Sequence, residues 1–154
     1  MAKQINEEST RAVVCPSDER KTAEAFSTLR SNANVSYFVG VSANEIQAQS
    51  LLAGDRNLCG GTKPDDNYGF SPENGQGNDV PIQTNSKTAP VCRSLKMHAP
   101  VWTNGAGNVL LGDGSVSTVG TLRFRSEFQP TAGQTTNWPV GHTPSAPSIR
   151  VLFP

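Results

Sequence analysis

No stretch of apolar residues in this chain approaches the roughly 18–20 residues needed to cross a bilayer, so no transmembrane helix is expected within these 154 residues. Charge of one sign is not in excess either. Thirteen Lys and Arg balance 13 Asp and Glu, and neither sign clusters along the chain. A nucleic-acid binder needs a cationic stripe to neutralise phosphates, so no nucleic-acid partner is expected. The opening Met1–Thr10 is polar and has no apolar core of a signal peptide. Histidine is scarce: His98 and His142 are the only two. The three cysteines, Cys15, Cys59 and Cys92, contain no C-x-x-C pair, which with so few histidines argues against a zinc site. An odd cysteine count leaves at least one thiol outside any internal disulfide. Cys59 and Cys92 would close a loop of about 33 residues in an oxidising compartment, and three unlinked thiols fit the sequence equally well.

Backbone punctuation, by contrast, is abundant. Fourteen glycines and 11 prolines predict short elements joined by many turns, in a chain of one-domain length. Val35–Val41 is the first clear strand, rich in β-branched and aromatic residues. Gln49–Asp55 reads as a second strand pairing with it, with a short helix over Asn44–Leu52 as the competing reading. Ser17 or Asp18 suits the cap of a short helix ahead of the weakly amphipathic Glu19–Arg30. Residues 59–90 are dense in turn chemistry and predict a long loop. Asn108–Gly112 and Ser115–Val119 flank Asp113-Gly114, which predicts a hairpin through a two-residue type I′ turn. That register would set Leu111 against Val116 and Val109 against Thr118 on a core face. Leu122–Phe128 is compatible with a short helix or a strand, and Ser148–Phe153 reads as a closing strand.

The candidates for chemistry are sparse. Asp113 beside Gly114 suits a turn. Asn104, Asn108 and Asp113 could offer oxygens to calcium, as could Asp65-Asp66-Asn67 and Asn78-Asp79, but no EF-hand spacing is present and no cofactor is expected. Nothing in the sequence brings Cys15 and His98 together as a thiol and its base, and no cysteine-protease motif surrounds Cys15. Asp55 and Arg56 suit a local ion pair. Trp102, just before the hairpin, suits the core. Trp138 in a loop would serve a sugar-stacking surface.

Three segments carry a resemblance. Thr103–Val116 resembles the C-terminal signature of prepilin-type (type IV pilin-like, pseudopilin) proteins of planctomycetes and verrucomicrobia, a His, nine residues and Asp-Gly, through Asn104, Asn108-Val109-Leu110 and Asp113-Gly114. At the position of the signature's His this chain has Thr103, and His98 lies five residues earlier. Cys15-Pro16-Ser17-Asp18 is similar to members of the same group. So is Ser36-Tyr37-Phe38-Val39-Gly40, followed by Leu52-Ala53-Gly54-Asp55-Arg56-Asn57. The resemblance implies a globular pilin-like head behind a long hydrophobic N-terminal helix that these residues lack, so a membrane would be met only through that helix. It implies a cell-envelope, periplasmic or extracellular setting, and partners that are other pilin-like subunits or further copies of the chain.

The expected fold is therefore α+β, mostly β: a small antiparallel sheet with long loops in a single domain. The expected role is structural, an assembly module of a type IV pilus or type II secretion filament and not an enzyme. A secreted carbohydrate-binding β module is the alternative.

Overall fold

A computed structural model describes residues 10–29, 32–41, 43, 46–61, 63, 66–71, 77–82, 91–98, 105–128 and 149–154. Among the described residues the strands and α-helix that can be given whole are β1 (Tyr37–Gly40), β2 (Leu51–Asp55), β3 (Leu58–Gly60), β4 (Asn78–Ile82), β5 (Val91–Arg93), β6 (Ala106–Leu111), β7 (Val116–Gly120), α1 (Thr121–Glu127) and β8 (Ile149–Phe153). Six of the strands make one sheet in the order β4-β8-β1-β2-β6-β7, and β3 pairs with β5 in a second, two-stranded sheet. Every pairing is antiparallel. The mostly-β α+β architecture is as expected.

Alternation along the strands explains which side is buried. Phe38 in β1, Val109 and Leu111 in β6, Val119 in β7, and Ile149, Val151 and Phe153 in β8 all point inward. They meet Leu58 and Val91 from the small sheet and Phe124 and Phe128 from α1 in one apolar cluster. Each fully buried side chain of this size is worth roughly 1.5–3 kcal/mol. The helical reading of 122–128 prevails because Phe124 and Phe128, four residues apart, share a helix face and stack with ring centroids 5.1 Å apart. At Leu51–Asp55 the strand reading prevails over the competing helix ending at Leu52, since Leu51 is buried opposite Leu111.

Several sequence-based expectations need correction. The 112–114 turn is not type I′. Gly114 N–H donates to Leu111 O at 2.9 Å and Leu111 N–H to Ser115 O at 3.0 Å. Gly114 takes φ +81°, whereas Asp113 has no positive φ. This is a three-residue connection, a turn followed by a left-handed glycine bulge. The additional loop residue shifts the register by one: Leu110 faces Val116, Val109 faces Ser117 and Asn108 faces Thr118. Val109 and Leu111 are still buried, but Val116 is 67% exposed.

Within residues 59–90, the expected long loop contains most of β3 and all of β4, and β5 follows it. Neither β3 nor β4 has a strong strand sequence, and each is held by partners distant in the chain. Pro81 in β4 is tolerated because β4 is an edge strand, where a missing N–H breaks no ladder. Among the described residues of Glu19–Arg30 no α-helix is formed, and a single 3-10 turn, Phe26–Thr28, stands in its place. No helix among the described residues is long and apolar enough to cross a membrane.

Candidate functional site

The residues singled out by sequence converge at one end of β2. This strand ends in Gly54-Asp55, then Arg56-Asn57 leads directly into β3. Gly54 is required by close packing: a Cβ there would lie 2.7 Å from the Phe38 ring and 2.8 Å from Asn108 O. The three residues that follow are fully buried, and each makes a separate set of contacts.

Arg56 does not pair with Asp55. It reaches the Cys15–Asp18 segment instead, donating Nε to Asp18 Oδ2 at 2.7 Å and NH2 to Asp18 Oδ1 at 2.9 Å. Its third nitrogen donates to Ser71 O at 3.0 Å, and its guanidinium lies 3.2 Å over the Tyr68 ring. The Tyr68 hydroxyl donates to the same carboxylate at 3.0 Å. Burial pushes the Asp18 carboxyl up, but the hydrogen bonds and charge of Arg56, with the Tyr68 hydrogen bond, outweigh it and hold the group at about 2. Burial, then the charge of Asp18, raises the Tyr68 hydroxyl to about 12. A cleft of about 240 Å³, lined by Glu19, Arg20, Ala33, Arg56 and Tyr68, opens beside this pair.

Asn57 turns the other way. Its amide donates to Ser94 O, Lys96 O and Ala106 O, at 3.3, 3.1 and 2.7 Å. Its carbonyl oxygen accepts from the buried Arg93, which also donates to Asp55 O. Burial lowers the Arg93 guanidinium to about 10, so it remains charged at neutral pH with backbone and amide oxygens as its ligands. Asn57 thereby fixes the 94–98 turn. In that turn His98 N–H donates to Lys96 O across Met97, whose φ is +72°. This is a γ-turn, a strained conformation. The Met97 side chain, packed with Cys15 and Tyr68, anchors it.

Cys15 and His98, which nothing in the sequence placed together, are thereby gathered with Asp55. His98 Nε2 lies 2.9 Å from Asp55 Oδ2, which also accepts the Asn108 N–H at 2.5 Å. One ligand atom from each of Cys15, Asp55 and His98 lies within 4.8 Å of the other two. Asp55 is sealed from solvent, and among the described residues its Oδ1 has no hydrogen-bond partner. Cys15 is buried and the His98 side chain keeps 21% of its exposure. Burial pushes the Cys15 thiol up, and the charges of Asp55 and Asp18 add to that against a hydrogen bond from the Ser17 backbone. Burial and the neighbouring carboxylates both disfavour the thiolate.

The other candidates are dispersed. Tyr37, Phe38 and Gly40 lie in β1; burial raises the Tyr37 hydroxyl, and a Cβ on Gly40 would collide with Leu51 O. Pro16 is exposed in the loop after Cys15. Asn108 Oδ1 accepts from Thr118 Oγ1 at 2.7 Å, on the strand pair and away from Asp113. Asp113 is exposed, and its Oδ1 accepts the Ser115 N–H at 2.9 Å, bracing the turn with Gly114. Asp79, another calcium candidate, is engaged by Arg150, and Asn67 Oδ1 accepts from Gly69 N–H. Asn104, Asp65, Trp102, Trp138 and His142 lie outside the described residues. Among the described residues Phe26 is the exposed aromatic side chain, and Trp138, on which the sugar-stacking reading rests, lies outside them.

Opposite the core, the sheet register produces a further feature. Leu152 pairs with Val39, Val39 with Ala53, Ala53 with Leu110, and Leu110 with Val116. These five side chains make one lateral row across five strands on the solvent face. Val39 and Leu152 are 53% and 44% exposed.

Comparison of the chain with protein-family models, curated proteins and solved structures finds no match.

Proposed function

We propose that this chain is a pilin-like head domain, a structural assembly module whose work is protein–protein contact and not bond chemistry. The observation that carries the reading is the apolar row Leu152–Val39–Ala53–Leu110–Val116, laid across the open face of the six-stranded sheet. An exposed strip of aligned apolar side chains on a folded sheet is characteristic of a surface that another protein covers. Edge-on growth of the sheet is discouraged at β4, which carries Pro81 and the Asp79–Arg150 ion pair.

The resemblance to prepilin-type proteins supports the same reading through packing. Two of its separate segments, Cys15–Asp18 and Gly54–Asn57, dock on each other through Asp18–Arg56 and through Cys15 beside Asp55. Residues shared for such a purpose maintain a head shape, and they leave the surface to vary with the partner. The occupant of the row is taken to be a second pilin-like subunit, here another copy of this chain.

Sedimentation across a concentration series tests the proposal. The wild-type chain should self-associate weakly, and the double substitution V39K/L152K should abolish association while leaving the thermal midpoint within a few degrees, as expected for exposed positions. A chain that stays monomeric at all concentrations, or association indifferent to the substitutions, would defeat the reading.

A further inference from the structure

We infer that Cys15, Asp55 and His98 form a binding site for one divalent metal ion of the zinc class. This site is separate from the sheet-face contact and does not depend on it. The three side chains come from three distant segments: the loop after residue 14, the end of β2 and the γ-turn after β5. Their ligand atoms form a compact triangle with no side longer than 4.8 Å. A tetrahedral zinc ion with bonds of about 2.0–2.3 Å holds its ligand atoms roughly 3.5 Å apart, so closing the triangle takes shifts of about an ångström.

The donor set selects the ion. Thiolate and imidazole favour zinc and its neighbours, whereas a single carboxylate is too few oxygens for calcium or magnesium. The triangular arrangement matters as well. In a nucleophilic triad the imidazole stands between thiol and carboxylate; here thiol and carboxylate also lie against each other, which suits a cation at the centre.

An independent observation points the same way. Asp55 Oδ1 is fully buried and has no hydrogen-bond partner among the described residues, a costly state for a carboxylate oxygen that a bound cation would relieve. Asp55 Oδ2 is already oriented by the Asn108 N–H, the kind of outer contact that holds a metal-binding carboxylate in place. The strained backbone at Met97 and the Asn57 hydrogen bond to Lys96 O hold the turn that presents His98. Of the three ligands His98 is the one that solvent reaches appreciably, so the ion would arrive from its side and complete its coordination there with water. When the ion binds, Cys15 releases its thiol proton to solvent as the sulfur–metal bond forms, and the imidazole binds as the neutral ring.

Cobalt(II) replaces zinc as a visible probe and tests the assignment on the intact, reduced chain. One equivalent should give the absorption of a tetrahedral centre together with a sulfur-to-cobalt charge-transfer band, and added zinc should bleach both. The Cys59→Ser/Cys92→Ser variant should retain the signal. Cys15→Ser should lose the charge-transfer band, and His98→Gln, which folds without the metal if its circular dichroism matches wild type, should weaken cobalt binding at least about tenfold. Saturating zinc should raise the melting temperature of wild type and not of His98→Gln. Absence of the band in wild type, its survival in Cys15→Ser, or its loss in Cys59→Ser/Cys92→Ser would overturn the assignment. None of these readouts involves self-association, so failure here and failure of the assembly reading are distinguishable.

Discussion

Asp18 illustrates how one residue can carry the stability of a whole corner. Its side chain is closed to solvent, it takes both prongs of Arg56, and Tyr68 adds a third hydrogen bond. Removing one partner of such a pair leaves a buried charge without compensation, which costs about 3–5 kcal/mol. Asp18→Ala should therefore lower the thermal midpoint by roughly 10 °C in a chain of this length. The pH dependence follows from the carboxyl being held at about 2, below its ordinary 3.8. A depressed carboxyl adds stability that is fully present above its unfolded value and is lost as pH falls through its folded one. The chain should thus lose about 2 kcal/mol between pH 5 and pH 2 through this group. Asp18→Ala should show a flatter acid limb in chemical denaturation, and an unchanged limb would show that the pair is not coupled to folding.

At the scale of elements, the 106–120 hairpin shows how one loop residue decides which side chains are wet. A two-residue turn would have buried Val116; the bulge at Gly114 exposes it and places Val119 inside. Nothing lies within 4 Å of where a Cβ on Gly114 would sit, so a side chain there meets only backbone strain at φ +81°. Gly114→Ala should cost about 1 kcal/mol and Gly114→Asn less, since Asn tolerates the left-handed region better. Urea midpoints in the order Gly, Asn, Ala check this, and equal midpoints would refute the bulge. Asp113 was recognisable as a turn residue from its neighbour alone. The turn type was not, because a three-residue loop and a two-residue loop share the Asp-Gly dipeptide and differ only in where strand pairing resumes.

Across the whole molecule, the small sheet is tied to the core through Leu58 and Val91, and its centre is the direct cross-strand pair Cys59 and Cys92. Their sulfurs lie 2.7 Å apart, both as thiols. Exposure to oxidised glutathione should join them, each thiol giving up its proton and the pair giving two electrons to the glutathione disulfide. Intact-protein mass spectrometry should record the loss of both thiol hydrogens, and the denaturation midpoint should rise as expected for roughly 3–4 kcal/mol from a loop of this length. Failure to oxidise in the folded state, with reaction only after unfolding, would show that the strands do not meet as described. The pairing would leave Cys15 as the remaining thiol, consistent with the separate role inferred for it.

The strands β1, β2, β6, β7 and β8 and the mostly-β class are legible in the order of residues, because apolar runs rich in β-branched and aromatic side chains, bounded by turn residues such as Asp113-Gly114, suit a pleated and half-buried surface. The sequence also marked the segments that meet at the end of β2, though not how they meet. Arg56 pairs with Asp18 and not with its neighbour Asp55, because adjacent residues leaving the end of β2 engage different partners. The edge strand β4, the apolar row across the sheet and the gathering of Cys15, Asp55 and His98 were decided only by tertiary structure. Each joins residues tens of positions apart, and local composition carries no record of which distant segments a packed core will bring into contact.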